Sequence, residues 1–515
     1  MSALARWHSH QAVAGSRRRA YPVQIEPWAS RSAAPAAATV GSTVNGVHPL
    51  ADPRLDAALQ ARQREIETRF AGIEPMLASL ARDAAVAGRC DAVFDALRQR
   101  YGLVFADAPD RYRWAKPTDW GALYAHCVLA AFVEPANRTP DLALMQQHDG
   151  EPVEEVVARW GFHAIDIVPC ADGRLSGLTD HILRVPRKVI ASRRSYAGAM
   201  FDIEAALEVW RAVELGRRAQ SGTAAADTRY LKLGVYHFSG SQPHHEGCAA
   251  HGSDAARAAR ALLDRLNEFG TAVAAIHGER VALLMVGVDT DDDSIRVHVP
   301  DAAGEMSTER WLSSAELRTL TARLGRDQAK ALIRDRVAAC AGVAADDPRT
   351  EGMRWFCGYL LKNNIGQVEA VHRLHGGRYP ELGHAERLIV AGDPIDEVQL
   401  RNVAFQTQFT TFEEGAADMA VGLRLLGQSH RPRALAVPIL ASARYDHRLP
   451  NGRARAAERA RRHARAILSG PQQLGERVAL VVRAAVVDEK GHIEFADQPS
   501  LDAAHALDRP TRCSA

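Results

Sequence analysis

The sequence predicts an α/β protein in which a helical N-terminal domain precedes two tandem α/β units, the second a degenerate copy of the first. Three observations carry that expectation. Apolar residues from Pro53 to about residue 145 recur at helical spacing. From Phe162 onward, short apolar runs alternate with helix-length amphipathic stretches, the rhythm of parallel strands joined by helical crossovers. The later chain then repeats the same landmarks in the same order.

Length and charge fit this plan. At 515 residues the chain holds three to four domains at roughly 150 residues each. Lys+Arg is 64 against Asp+Glu at 62, which argues against a nucleic-acid protein. The longest uncharged apolar run, Gly121–Val133, is too short for a membrane span and carries His126. The seven cysteines are few, odd in number and scattered, so they do not form a secreted disulfide framework. No apolar leader segment precedes Arg17-Arg18-Arg19, and a reducing compartment is expected. Thiols are then available as metal ligands.

Residues 1–50 carry five Arg, one Glu and no Lys among Ala, Ser, Pro and Gly. They offer too little apolar surface to order themselves, and a disordered basic arm is expected. With Trp7, Tyr21 and Trp28 spaced along it, the arm could dock on an acidic partner, stay a solvated tail, or mimic a transit peptide.

At Asp52-Pro53 the pattern changes, because Asp can cap a helix whose first residue is Pro. Leu55, Leu59, Ile66, Phe70 and Ile73 follow at helical spacing, and residues 51–147 are expected to form the helical domain. Cys90 and Cys127 sit among apolar neighbours there and read as core thiols. The first α/β unit, residues 148–385, opens with a strand at Ala164–Val168. A helix from Phe201 to Gly216, a strand at Leu231–Tyr236 and a helix from Ala255 to Phe269 follow. Strands at Val281–Val288 and Ile295–Val299 then flank an acidic turn, Asp289–Asp293.

Residues 386–515 repeat this order. FDIEAALEVWRAVELG at Phe201–Gly216 matches FEEGAADMAVGLRLLG at Phe412–Gly427, and GERVAL occurs at both Gly278–Leu283 and Gly475–Leu480. Strand Ala164–Val168 corresponds to Glu386–Val390, and Leu231–Tyr236 to Ala434–Ile439. Cys170 then aligns near Gly392 and His237 near Leu440, with no cysteine between Cys357 and Cys513. The second copy cannot rebuild whatever the first copy's cysteines do.

In the first copy, Cys170 follows one strand and His237 ends the next. If those strands are parallel neighbours, both residues meet at the carboxyl edge of the sheet, where such folds place their sites. Cys248 lies eleven residues beyond His237, before a helix expected to open near Gly252-Ser253, whose N-terminus favours a thiolate. Two thiolates and one imidazole suit Zn²⁺ with its fourth position open to water. Asp172 can accept a hydrogen bond from that water or close the site, and Arg174 can hold Asp172 off the metal bidentately. Two thiolates neutralise the ion's charge, so activity is expected to rise towards alkaline pH.

Other readings stay open on the residues alone. C-x-D-x-R occurs by chance, and His237 could be a core histidine. His244, His245 or His251 could supply a fourth ligand and close the site, although a polar loop is preferred. Cys340 and Cys357 lie on helical stretches with apolar neighbours, and Cys513 is in a tail.

Cys170-Ala171-Asp172-Gly173-Arg174 resembles the C-x-D-x-R motif of β-class carbonic anhydrases. The usual H-x-x-C is here His237-x10-Cys248, with FSGSQPHHEG inserted, and this departure is similar to the carboxysome shell carbonic anhydrases. The resemblance implies two tandem β-carbonic-anhydrase-like units, the second lacking the zinc site and completing a fused pseudo-dimer. It implies one Zn²⁺ per chain on Cys170, His237 and Cys248, with Asp172 and Arg174 as the catalytic dyad. The implied reaction interconverts CO₂ and bicarbonate inside the carboxysome, on the inner side of the shell, supplying CO₂ to Rubisco. Implied partners are Rubisco through the N-terminal arm and shell proteins, with no nucleic acid or membrane, in a homodimer or higher homo-oligomer. His384 is a candidate proton carrier. The rival readings are a zinc-stabilised scaffold linking Rubisco to the shell without catalysis, and a redox switch in which Cys170 and Cys248 form a disulfide.

Overall fold

The computed structural model describes residues 48–79, 90–104, 120–136, 147–148, 151–221, 229–277, 281–344, 350–382, 386–393, 395, 403–409, 411–428, 436–470 and 479–499. The basic arm, His384, Cys513 and the side chain of Cys90 lie outside them.

The N-terminal region is helical. Asp52 caps Pro53–Ala71 by accepting the N–H groups of Arg54 and Leu55 at 3.1 Å, as the Asp-Pro pair predicts. The apolar run that is too short for a membrane forms the helix Trp120–Ala136, which is buried from Gly121 to Val133. Its Leu123, Val128 and Leu129 share a core with Leu388, Val390, Leu440 and Val481 of the second sheet. No helix among the described residues is long and apolar enough to cross a membrane.

A short hairpin, β1 (Gln147–His148) and β2 (Glu151–Pro152), leads into the first sheet. That sheet contains β3 (Phe162–Pro169), β4 (Ile190–Arg193), β5 (Arg229–Phe238), β6 (Ala282–Asp289), β7 (Ile295–His298) and β8 (Leu312–Ser313). Their spatial order is β4-β3-β5-β6-β7-β8, parallel from β4 to β6 and antiparallel beyond. The helices Ile203–Ser221 and Ala255–His277 make the crossovers. A long helix, Glu351–His375, packs Phe356 and Tyr359 edge-on to Trp160 at 4.8 and 4.7 Å.

The second sheet contains β9 (Leu388–Gly392), β10 (Ala404–Gln408), β11 (Val437–Arg444), β12 (Leu480–Val487) and β13 (Ile493–Phe495). Its order, β10-β9-β11-β12-β13, repeats the first five strands of the first sheet, β4-β3-β5-β6-β7, again parallel except for the last of them, and β8 has no counterpart among the described residues. The helices Phe412–Gln428 and Gly452–Ser469 take the places of the two crossovers. The repeated sequence landmarks thus fall on equivalent elements, and the chain is mixed α/β with a helical N-terminal region. Core residues cover both faces of the second sheet, as a parallel sheet requires.

Strand register refines the alignment of the copies. Leu283 pairs with Lys232 and the equivalent Leu480 with Val437, so His237 corresponds to Ser442, two residues beyond Leu440. Through β3 and β9, Cys170 corresponds to Ala391 and Asp172 to Asp393. The shift from Gly392 and Leu440 arises because the sequence landmarks lie on helices and β6, and the intervening loops differ in length.

Candidate metal centre

Strands β3 and β5 are parallel neighbours, with Pro169 opposite Val235. The residues that leave their carboxyl ends, Cys170 and His237, are therefore brought together. Cys248 joins them from the loop after β5. One ligand atom from each of the three lies within 4.8 Å of the others, and all three residues are buried. The Sγ atoms of Cys170 and Cys248 are 3.9 Å apart, and both thiols are free.

Cys248 is positioned differently from the sequence expectation. The long helix starts at Ala255, and Cys248 instead heads a 3-10 turn, Ala249–His251. Gly252 and Ser253 take left-handed backbone there, which delays the helix. The Cys170 hydrogen bond, and the Ala250 and His251 N–H groups, pull the Cys248 thiol below its usual pKa. The Cys170 thiol moves the other way, raised by that shared hydrogen bond and by burial. Gly198 donates its N–H to Cys170 Sγ at 3.3 Å from a turn with φ of +65°. A side chain there would be strained, and its Cβ would fall 2.6 Å from His251 Nε2.

Asp172 and Arg174 form the second half of the site. Asp172 caps the 3-10 turn Gly173–Leu175, accepting Arg174 N–H at 2.9 Å. The Arg174 guanidinium grips the carboxylate twice, Nε to Oδ1 and Nη2 to Oδ2, both at 2.9 Å. Arg174 Nη1 also reaches the Glu246 carbonyl at 2.6 Å and Thr290 Oγ1 at 3.3 Å. Burial works against the charged Asp172, but Arg174, helped by His237, holds its carboxyl well below the usual range. His237 Nε2 lies 3.2 Å from both Asp172 Oδ2 and Arg174 Nη2. Burial also disfavours the charged His237, yet Asp172 and Cys170 raise its pKa to about 9.

The donor set fits Zn²⁺. Two Zn–S bonds of about 2.3 Å at the tetrahedral angle put their sulfurs about 3.8 Å apart, close to the observed 3.9 Å. His237 Nδ1 is buried without a hydrogen-bond partner among the described residues, which is compatible with a ligand role. The neighbouring histidines do not join the cluster. His244 and His245 are exposed, and His251 Nε2 faces the Gly198 carbonyl at 3.2 Å. Cys127 and Cys357 are buried apolar thiols, the first raised by burial to about 12.

Four contributors escaped the sequence. Gly198 lies in a loop without a motif, Glu246 in the inserted segment and Thr290 in the acidic turn, and Glu386 comes from the other copy. Glu386 Oε1 accepts the Gly173 N–H at 3.2 Å. For Glu246 a signal existed, since the inserted segment between two ligands had to fold back over the site.

Family models match almost the whole described chain. The N-terminal model of Carboxysome Shell Carbonic Anhydrase matches residues 48–139, the catalytic-domain model 152–384 and the C-terminal model 385–498. A carboxysome shell carbonic anhydrase of Halothiobacillus neapolitanus is 36% identical over 455 residues, covering 85% of this chain and 87% of that relative. One from Parasynechococcus marenigrum is 37% identical over 423 residues, covering 80% and 72%. Another, from Hydrogenovibrio crunogenus, is 32% identical over 462 residues, covering 85% and 84%.

Proposed function

The chain belongs to the carboxysome shell carbonic anhydrase family, and we propose that this carbonic anhydrase interconverts CO₂ and bicarbonate at a Zn²⁺ held by Cys170, His237 and Cys248. The observation that carries the reading is the closed cluster of two thiols and one imidazole beside a salt-bridged Asp172. A purely structural metal needs no such carboxylate. Zinc bound there would supply Lewis acidity, lowering the pKa of a water so that it can attack CO₂ at accessible pH.

The chain's own residues set the direction of that attack. Asp172 Oδ2, 3.2 Å from His237 Nε2, is the acceptor oxygen beside the ligand cluster, so a water there can donate a hydrogen bond to it. Arg174 keeps Asp172 ionised and turned, because its two parallel hydrogen bonds fix the plane of the carboxylate. The Glu246 carbonyl and Thr290 hydroxyl fix the guanidinium in turn. Aspartate therefore acts as an acceptor and not as a fourth ligand. The metal-binding roles, the dyad roles, residence in the carboxysome, supply of CO₂ to Rubisco, docking of the arm on Rubisco and a homo-oligomeric assembly all belong to this reading. So does the division at residues 50, 147 and 385.

The test is isotope exchange between CO₂ and water by the purified protein, before and after stripping metal with a chelator. Loss on stripping and recovery with Zn²⁺ alone support the reading. An inactive protein that still holds one tight zinc would point to the scaffold instead.

A further inference from the structure

We propose that Glu386, from the copy without ligands, is a positioning residue for the reaction: it holds the peptide that orients Asp172. The inference deepens the function proposed above and rests on it.

Asp172 sits between two peptide planes, and those planes set its φ and ψ. The plane before it exposes the Ala171 carbonyl, which accepts the N–H of Gln406 on β10 at 3.2 Å. The plane after it exposes the Gly173 N–H, which donates to Glu386 Oε1 at 3.2 Å. Both holding groups come from the second copy, and Glu386 supplies the one that is a side chain. The fit is close enough to demand glycine: a Cβ on Gly173 would lie 2.5 Å from Glu386 Cγ and 2.8 Å from Oε1. Glu386 is buried to 1% exposure, so solvent cannot stand in for its carboxylate. Its negative charge also favours the charged form of Arg174. The same edge is fastened again where Ala197 N–H, in the turn that serves Cys170, donates to Asp418 Oδ2 at 2.9 Å. A copy that has lost its own site thus still completes the working one.

Two variants of similar volume separate positioning from packing. Glu386→Gln keeps an acceptor for Gly173, and Glu386→Met does not. With zinc counted and melting temperature recorded, both are expected to retain one zinc per chain. The Gln variant stays within about twofold of the wild type in kcat/KM for CO₂ hydration, and the Met variant falls roughly tenfold. The inference is overturned if the Met variant matches the wild type, if Gln falls as far as Met, or if zinc leaves with the activity. Should the Met variant not fold, Gly173→Ala decides. A roughly tenfold loss with zinc retained supports positioning, and wild-type activity overturns it. A wild-type protein without CO₂ hydration would sink the proposed function, whereas an active one indifferent to residue 386 sinks only this inference.

Discussion

Arg174 and Asp172 lie two residues apart and bind each other through two parallel 2.9 Å hydrogen bonds, at side-chain exposures of 2% and 4%. A tight turn between them makes the pair possible, and their burial makes it costly to break.

Arg174→Lys keeps the charge but cannot form the fork. Zinc content is expected to stay at the wild-type level, because Arg174 is not a ligand. CO₂ hydration falls about 100-fold, the cost of losing roughly 3 kcal/mol of charge-assisted bonding. Stopped-flow rates beside metal analysis check this, and an unchanged rate would remove Arg174 from the dyad.

The inserted loop is latched by the acidic turn. Asp291 accepts Ser239 Oγ at 2.9 Å and Ser241 N–H at 2.6 Å, while Asp289 accepts Gly240 N–H at 3.1 Å. That loop carries the Glu246 carbonyl that holds Arg174. Asp291→Ala is expected to speed amide exchange across residues 239–247 and to lower activity several-fold. Exchange unchanged from the wild type would show that the loop needs no latch.

A second buried pair lies away from the chemistry. Lys232 Nζ meets Asp166 Oδ2 at 2.5 Å, Tyr230 OH donates to the same oxygen at 2.7 Å, and Phe201 and Phe269 offer ring faces to the ammonium. Lys232→Met strands a buried carboxylate and is expected to cost about 3–5 kcal/mol. Lys232→Met with Asp166→Leu recovers much of that in urea unfolding. Equal losses in both variants would contradict the pairing.

His298 gives the fold an acid limit. Its Nδ1 lies 2.9 Å from the Ser307 carbonyl and its Nε2 3.0 Å from Tyr236 OH, which suits the neutral ring. Burial lowers its pKa from 6.5 to about 4. Between those values the unfolded chain takes up the proton and the folded one does not. Its contribution is therefore complete above pH 6.5 and is lost as pH falls through about 4, to the extent of ~3 kcal/mol. In His298→Gln, the unfolding midpoint should depend less on pH across that window. An identical slope would exclude His298 as the titrating group.

What the sequence made legible followed short-range rules. The Asp52 cap, the two GERVAL strands and the strand-end positions of Cys170 and His237 each depend on a few neighbouring residues. The strand register then corrected the equivalent of His237 to Ser442, because loop lengths hide offsets that hydrogen bonding reveals. Lys232 and Asp166 sit inside runs that read as apolar. Only the pairing of β3 with β5 shows that they satisfy each other. Glu386 was hidden for the same reason at longer range, since its partner is 213 positions earlier. The second copy's Asp393, equivalent to Asp172, faces Arg459 from a helix, and Ile395 stands where Arg174 would be. The second copy thus carries a carboxylate at this position, while Ala391 and Ser442 stand where Cys170 and His237 would be.

In the proposed function, Cys170, His237 and Cys248 hold the zinc at which CO₂ is hydrated. Stopped-flow CO₂ hydration by the wild type and Cys170→Ala, with zinc counted in both, tests it most directly. One zinc per chain and rapid hydration are expected in the wild type, and joint loss of both in the variant. A Cys170→Ala protein that keeps its zinc and its rate would contradict it.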